Sequence, residues 1–299
     1  MNRHPLRPIT DDELKTFAED GFVQLRGMFD AEWIERMQRA TDQMLAKPGP
    51  AGSDFNEAGE GGRMAFDKDM WLYNDDFRAF VCESPAAELA ATILGSPYVN
   101  LVINVLLCKE PHTPTVTSFH QDITGNAVEG PVCGMRMSLD AETAESGAME
   151  WLRGSHKWNR WFIPYEAGAD EAVVGKAAFK GYVDPDHPER EMEPMPDVEN
   201  HRGDYDIVTT PSEPGDLFVS SLLMIHGAPG NSTNNRRRAF LSRFAGAGST
   251  YAVRGDVPFS IGPAMDPGIA HGDPFPDNRE HAVFPRLWPR PDARSAAAE

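Results

Sequence analysis

The chain has 299 residues, of which 46 are acidic and 28 are basic, and its formal net charge at pH 7 is −18. This charge repels nucleic-acid backbones and anionic membrane surfaces, so we expect neither as a partner, and the length is that of one domain with a sizeable core. Three cysteines without CxxC spacing, and the absence of a leader-like or membrane-spanning apolar run, predict a cytoplasmic protein with reduced thiols.

The N-terminal part of the chain is predicted to be mainly helical. Thr10 and Glu13 form the capping box T-x-x-E of a first helix, which should end at Gly21 before a short strand. Asp30 is placed to cap a second helix, because the residues after it include apolar side chains at helical spacing.

The pattern changes in the second third of the chain. Residues 47–65, rich in Gly, Pro and charge, are predicted to form a loop, and a further helix should run from Ser84 to Gly95. Short β-rich runs separated by turn residues follow from residue 97, among them VNLVINVLLC, CGMRMSLD, AMEWL, DLFVSSLLMIH and RAFLSRFAG. Helices followed by strands predict a mainly β fold with helical additions: a double-stranded β-helix, the cupin-like jelly roll, buttressed by the N-terminal helices.

We expect one domain that covers the whole chain. The segment with many prolines and acids after Trp158 is too irregular for core strands, and loops of this length are typically functional lids or disordered. The predicted parts are a helical part over 1–96, a jelly-roll core over 97–250, a lid or insert at 158–213 within it, and a Pro/Gly-rich extension over 251–299.

Two histidines and an aspartate are the candidate metal ligands. His120 and Asp122 are two residues apart, so both side chains project to one face of an extended strand or of its end. His226, at the end of a later apolar strand, completes the set of two imidazoles and one carboxylate that non-haem iron(II) oxygenases use. A second H-x-D pair, His271 and Asp273, lies in a Pro/Gly-rich segment and is interpreted as a solvated loop.

The strand after His226 carries Arg236, Arg237 and Arg238. A guanidinium binds a carboxylate through two hydrogen bonds, which suits the far carboxylate of 2-oxoglutarate. Only one parity of a strand faces the barrel interior. The pattern alone does not say which of these arginines faces inward, and a charged, solvated strand face is the alternative.

Several other residues are candidates for cosubstrate or substrate contacts. Arg136, inside an apolar run, is a candidate contact of a carboxylate, or else an outward-facing residue or structural ion pair. Thr117 and Ser220 are candidate orienting groups, or else ordinary strand hydroxyls. The remaining candidates are aromatic and favour an apolar or ring-bearing small substrate, or else packing under a lid: Trp71, Tyr73, Trp158, Trp161 and Phe162.

Five segments resemble, in the expected order, the phytanoyl-CoA dioxygenase family of iron(II)- and 2-oxoglutarate-dependent oxygenases. They cover most of residues 9–245 and are ITDDELKTFAEDGFVQLRGMF, HQD, SGAMEWLRGSHKW, PGDLFV and HGAPGNSTNNRRRAF. One departure is Arg153, which stands in a turn where the family usually has proline. The family name does not by itself imply a CoA substrate.

The resemblance implies that His120, Asp122 and His226 bind iron and that Arg237 holds 2-oxoglutarate. It implies oxidation, typically hydroxylation, of an unactivated C–H bond with O₂ and release of succinate and CO₂, with no catalytic residue beyond the metal ligands. Asp122 disfavours halogenation, because related halogenases have a small residue there. The alternative function is a jelly-roll module that binds metal or ligand without turnover.

Overall fold

A computed structural model describes residues 1–55, 62–162, 192–253, 263 and 265–290. The α-helices, labelled α1 to α5 in chain order, are Asp11–Asp20, Ala31–Ala46, Asp75–Glu83, Ala86–Leu94 and Asp122–Gly125. Short 3₁₀ turns lie at Met70–Leu72, Ala144–Ser146, Ser155–Trp158 and Arg202–Asp204. Within these described ranges, no helix is both long enough and apolar enough to cross a bilayer.

The first helices begin where their capping residues predict. The Thr10 hydroxyl accepts a hydrogen bond from the Glu13 N–H, and the Glu13 carboxylate accepts one from the Thr10 N–H. α1 ends at Gly21, whose φ of 88° is in the left-handed region that favours glycine. The Asp30 side chain accepts a hydrogen bond from the N–H of Trp33 at the start of α2. The predicted caps are confirmed. They could be predicted because capping depends on residues that are close together in the chain.

The strands build two main sheets. The strands β1 to β16 are, in chain order, Phe22–Leu25, Ser53–Asp54, Met64–Lys68, Val99–Lys109, Thr117–His120, Val128–Glu129, Val132–Ser138, Met149–Leu152, Trp161–Phe162, Met192–Glu193, Ile207–Thr210, Leu217–Ser221, His226–Ala228, Arg237–Gly246, Thr250–Tyr251 and Arg286–Trp288. The larger sheet has the order β1-β12-β7-β14-β4-β3-β2, with β16 beside β4, and the smaller sheet has the order β11-β8-β13-β5. All pairings within both sheets are antiparallel.

The two faces of the larger sheet have different neighbours. Side chains of α2, α3 and α4 form one apolar cluster with Met137 of β7, Leu217 of β12 and Phe240 of β14. Residues of alternate parity on the same strands, such as Arg136 and Leu241, line a cavity together with residues of the smaller sheet. The fold is therefore the predicted jelly roll with helices against its outer face, and the site lies between the sheets.

Three features of the fold differ from those predicted from the sequence. The larger sheet includes strands that precede residue 97: the short strand predicted after Gly21 is β1, which pairs with β12, and the unpredicted β3 pairs with β4. The loop predicted for 47–65 is wrong in part, because β2 and the first residues of β3 lie within it. The helix α3 also precedes the helix predicted to start at Ser84.

The run DLFVSSLLMIH is not one strand. β12 ends at Ser221 in the larger sheet, and His226 begins β13 in the smaller sheet. In the connection, the N–H of Met224 donates to the carbonyl of Ser221, and the carbonyl of Leu222 accepts from the N–H of Ile123. The chain therefore crosses from one sheet to the other immediately before His226.

The predicted insert and extension are described only in part. In the insert, residues 163–191 lie outside the described chain, and β11 at its end pairs with β8 of the smaller sheet. In the C-terminal extension, β16 pairs with β4, whereas residues 291–299 lie outside the described chain.

Candidate metal centre

The fold brings together the three side chains that the sequence analysis selected. His120, the last residue of β5, and His226, the first of β13, are direct partners in an antiparallel pair, with ring centroids 4.3 Å apart. Asp122 begins α5 two residues later, and its Oδ1 lies 3.6 Å from Nε2 of His120. One ligand atom of each residue lies within 4.8 Å of the others. One ion can therefore contact all three.

Backbone hydrogen bonds fix the orientation of both imidazoles. Nδ1–H of His120 donates to the carbonyl of Ser118 at 2.8 Å, and Nδ1–H of His226 donates to the carbonyl of Met224 at 3.0 Å. A carbonyl only accepts, so the proton of each neutral ring is on Nδ1 and the lone pair on Nε2 is free for a metal. Burial, with help from His120, lowers the pKa of His226 to about 4, which keeps this ring neutral near pH 7.

Asp122 is ionised although it is buried. Burial alone would raise the pKa of its carboxyl, but the charge of the Arg243 guanidinium, with a smaller contribution from His120, outweighs burial and holds the pKa well below its usual range. Nη2 of Arg243 donates to Oδ2 of Asp122 at 2.5 Å. Two neutral imidazoles and one carboxylate are the donor set suited to a divalent transition metal such as iron(II). The residues present thus fit the metal that the sequence implies.

The three residues line a cavity of about 120 Å³, a space for a small molecule rather than a macromolecule. Its polar walls also include Thr117 and Ser220, the two candidate hydroxyl residues. Its apolar walls come from both sheets and consist of Phe66, Val105, Leu107, Met135, Met149, Trp151 and Leu241.

Arg237 is the member of the arginine trio that lines the cavity. It is 1% exposed, and its Nη2 lies 3.4 Å from Sδ of Met149. Burial and the nearby Arg136 lower the pKa of Arg237 to about 10, so it keeps its charge at neutral pH. Arg236 and Arg238 do not line the cavity. Both form an ion pair with the carboxylate of Asp42.

Arg136 also lines the cavity, and its charge is paired. It donates to Oε1 of Glu142 at 2.6 Å and to Oγ of Ser138 at 3.0 Å. Nε of Arg237 lies 3.4 Å from the other oxygen of Glu142. Burial alone would raise the pKa of Glu142, but the two arginines outweigh burial and lower it. The two guanidinium groups therefore share one buried carboxylate.

Three charged residues at or near the cavity were not predicted from the sequence: Lys109, Glu142 and Arg243. Nζ of Lys109, which is fully buried, donates to the carbonyls of Ala228 and Pro229, and burial together with Arg237 lowers its pKa well below the ordinary value. Arg243 had one signal in the sequence, since it shares strand parity with Arg237. Glu142 had no such signal. Arg237 is distant from it in the chain, and its spacing from Arg136 matches no known motif.

The predicted aromatic pocket residues do not line this cavity. Trp71 packs in the core between helices and sheet, and the hydroxyl of Tyr73 donates to Oδ1 of Asp67. Trp161 and Phe162 are buried in two other apolar clusters, and Trp158 borders a separate groove beside Tyr205. The prediction assumed that these side chains share a lid over the site, whereas the fold buries most of them in its core. Phe66 and Trp151 supply the aromatic walls instead.

The second H-x-D pair lies in a turn, as expected. Nδ1 of His271 accepts a hydrogen bond from the N–H of Val253, and a carboxylate oxygen of Asp273 accepts one from the N–H of Ala270. Among the described residues, the one group of metal-ligating side chains is that of His120, Asp122 and His226.

Comparisons with known proteins agree on one family. The family model described as phytanoyl-CoA dioxygenase (PhyH) matches residues 17–239. Dioxygenase cdmD of Talaromyces verruculosus is 28% identical over 189 residues, which are 54% of this chain and 61% of that protein. Phytanoyl-CoA dioxygenase domain-containing protein 1 of Bos taurus is 24% identical over 191 residues, which are 50% of this chain and 66% of that protein. Both matches span less than two thirds of the relative.

Solved structures share the fold. The epimerase SnoN, in complex with Fe³⁺, alpha ketoglutarate and nogalamycin RO, has a TM-score of 0.69 at 21% identity, with 93% of this chain and 98% of that chain covered. EctD from S. alaskensis, with 2-oxoglutarate and 5-hydroxyectoine, has a TM-score of 0.62 at 17% identity, with 87% of each chain covered.

Proposed function

The chain belongs to the phytanoyl-CoA dioxygenase family of iron(II)- and 2-oxoglutarate-dependent oxygenases, and on this basis we propose that it oxidises an unactivated C–H bond of a small organic substrate. The observation that carries the proposal is the convergence of His120, Asp122 and His226 in a cavity that Arg237 also lines. Hydroxylation is the proposed outcome. The predicted cytoplasmic location stays a prediction.

We assign the three converging side chains as the iron ligands. When iron(II) is bound there, it supplies the activation of O₂, coupled to conversion of 2-oxoglutarate into succinate and CO₂. The chain's own task is to hold the ligands: the backbone carbonyls of Ser118 and Met224 keep both imidazoles with Nε2 free, and Arg243 holds the carboxylate of Asp122. No further acid or base is required of the protein.

Arg237 is proposed as the anchor for the far carboxylate of 2-oxoglutarate. Arg136 and Arg237 share the single negative charge of Glu142, so one positive charge of this group remains to pair with a ligand. The group is buried, and a charge–charge contact is stronger there than in water. Arg136 then contributes mainly through its charge, because two of its nitrogens already donate to Glu142 and Ser138.

The cavity walls favour a substrate with an apolar part. Phe66, Leu107 and Trp151 present apolar surface beside the polar centre. SnoN is described as an epimerase in complex with nogalamycin RO, and EctD is solved with 5-hydroxyectoine, so proteins of this fold bind small molecules of different kinds. Asp122 occupies the coordination position that a halide would need, which disfavours halogenation here.

The test is a turnover assay with a panel of small apolar and ring-bearing compounds. We expect succinate release and O₂ uptake that require iron(II) and 2-oxoglutarate and that Asp122→Ala abolishes. Asp273→Ala, in the second H-x-D pair, is the matched control and should leave turnover unchanged. Binding of iron and 2-oxoglutarate without turnover across the panel would favour the alternative, a non-catalytic binding module.

A further inference from the structure

Arg243 has hydrogen-bonding capacity that the protein does not use. Its side chain is 4% exposed, and Nη2 donates to Oδ2 of Asp122 at 2.5 Å. Nε and Nη1 are buried and have no hydrogen-bond partner among the residues that the structure describes. Buried polar groups in folded proteins almost always have a partner, so these unpartnered N–H groups beside the metal ligands are candidate donors to a ligand.

The surroundings of Arg243 leave room for such a ligand. Arg243 lines the cavity and lies opposite Gly134 of the neighbouring strand β7. A Cβ atom at Gly134 would lie 3.4 Å from Oγ of Ser220 and 3.7 Å from Oδ2 of Asp122. The absence of a side chain there keeps the space beside the Arg243–Asp122 pair open.

We propose that Arg243 is a second anion-binding residue: while Nη2 stays on Asp122, a guanidinium N–H without a protein acceptor, on Nε or on Nη1, donates to the carboxylate next to the keto group of a 2-oxo acid. The inference rests on the proposed function and deepens it. Arg237 serves the far carboxylate, and Arg243, in contact with a metal ligand, serves the carboxylate at the metal end. Two carboxylates of one dianion thus meet two guanidinium groups that face the same cavity.

The charges are consistent with this assignment. Arg243 and Asp122 neutralise each other, so a divalent cation on the three ligands adds positive charge to a buried site that an anion must balance. A role limited to holding Asp122 would use only one of the three nitrogens. Nε and Nη1 would then be buried without an acceptor from the described residues.

The experiment separates the two ends of the ligand by calorimetry on cobalt(II)-loaded protein without O₂. The probes are 2-oxoglutarate and 2-oxobutyrate, which lacks the far carboxylate. Arg243→Met should weaken binding of both probes by the same factor, about tenfold or more, the loss expected for charge-assisted hydrogen bonds. Arg237→Met should weaken binding of 2-oxoglutarate alone. Arg236→Met, on the same chain segment but paired outside the cavity, is the control and should change neither.

The affinity for cobalt(II) is measured separately for each variant. If metal-loaded Arg243→Met binds both probes as tightly as the wild type, Arg243 only positions Asp122 and the inference is overturned. Arg243→Lys is the second variant, used if Arg243→Met does not bind the metal. It keeps the positive charge but has fewer hydrogen-bond donors. Weaker binding of both probes by the same factor supports the inference. Wild-type protein that binds cobalt(II) but no 2-oxoglutarate contradicts the proposed function itself, a result distinct from failure at Arg243.

Discussion

His226 lies directly opposite His120 across the pair of strands β13 and β5. Two residues further along β13, Ala228 pairs with Thr117, so the register shifts between these two pairs. Gly227 follows His226, and a Cβ atom there would lie 2.9 Å from the carbonyl oxygen of Thr117. The close approach of the two imidazoles thus depends on a residue without a side chain.

We therefore predict that Gly227→Ala weakens metal binding without removing a ligand. The added methyl group must push β13 away from β5, because the atom that it meets belongs to the backbone. The affinity for iron(II) or cobalt(II) should fall by about 10- to 100-fold, the range for residues that orient metal ligands. Gly203→Ala is the control, since apart from its chain neighbours no atom of the described residues lies within 4 Å of its Cβ position. Equal metal affinities of both variants would contradict the prediction.

Removal of a ligand should have a larger effect. His120→Ala or Asp122→Ala should reduce metal affinity by more than about 100-fold, beyond the usual effect of orienting residues, and should abolish turnover. Calorimetric titration with iron(II) under argon measures the affinity, and circular dichroism checks the fold. His271→Ala, in the second H-x-D pair, should bind metal like the wild type. Normal iron affinity in His120→Ala would remove this residue from the assigned ligands.

Arg237→Met separates metal binding from cosubstrate binding. Iron affinity should remain near normal, because the guanidinium of Arg237 lies against Met149 and Glu142 rather than against the three ligands. The concentration of 2-oxoglutarate for half-maximal turnover should rise by about 30-fold or more, corresponding to the loss of a buried charged partner. Arg236→Met is the control. An unchanged requirement for 2-oxoglutarate would transfer the anchor role to Arg136.

Glu142→Gln should destabilise the protein in a pH-dependent way. It leaves two buried guanidinium groups without their counter-ion, so the free energy of unfolding should fall by about 3–5 kcal/mol at neutral pH. The pKa of Glu142 lies below its ordinary value of 4.5 in the folded protein, so its contribution is present above that pH and is lost as pH falls through the folded value. The stability difference between wild type and variant should therefore shrink in acid.

Denaturant unfolding at neutral pH and at several pH values below 4.5 measures this difference. Glu145→Gln, an exposed position three residues away, is the matched control and should change stability little. A stability difference that stays constant as the pH falls would show that the charge of Glu142 is not what stabilises the fold.

The sequence predicted what depends on local chemistry. Thr10 and Asp30 cap helices as expected, and the fold class follows from helical and β-rich runs in order. The break between Ser221 and His226 was not predictable, because the residues between them are apolar and include no Gly or Pro that would indicate a turn. The break follows from the tertiary fold, in which β12 belongs to the larger sheet and β13 to the smaller sheet.

The candidate site was predicted where ligand chemistry restricts the residue types. A metal requires His and Asp at particular spacings, so His120, Asp122 and His226 could be selected, and their assignment as ligands stays a prediction to be tested. An apolar wall can be built from many residues, so Phe66 and Trp151 had no distinguishing pattern. The pairing of Glu142 with two arginines depends on tertiary contacts that no spacing encodes.

The placement of Arg237 and Arg243 on β14 limits how this cavity can change during evolution. Side chains return to the same face of a strand every second residue, about 6.6 Å apart, whereas one carbon–carbon bond is only about 1.5 Å long. A mutation that moves an arginine by one position turns it away, and a move by two positions shifts it by several bond lengths. We therefore expect homologues that use a shorter or longer diacid to recruit a basic residue from a different strand.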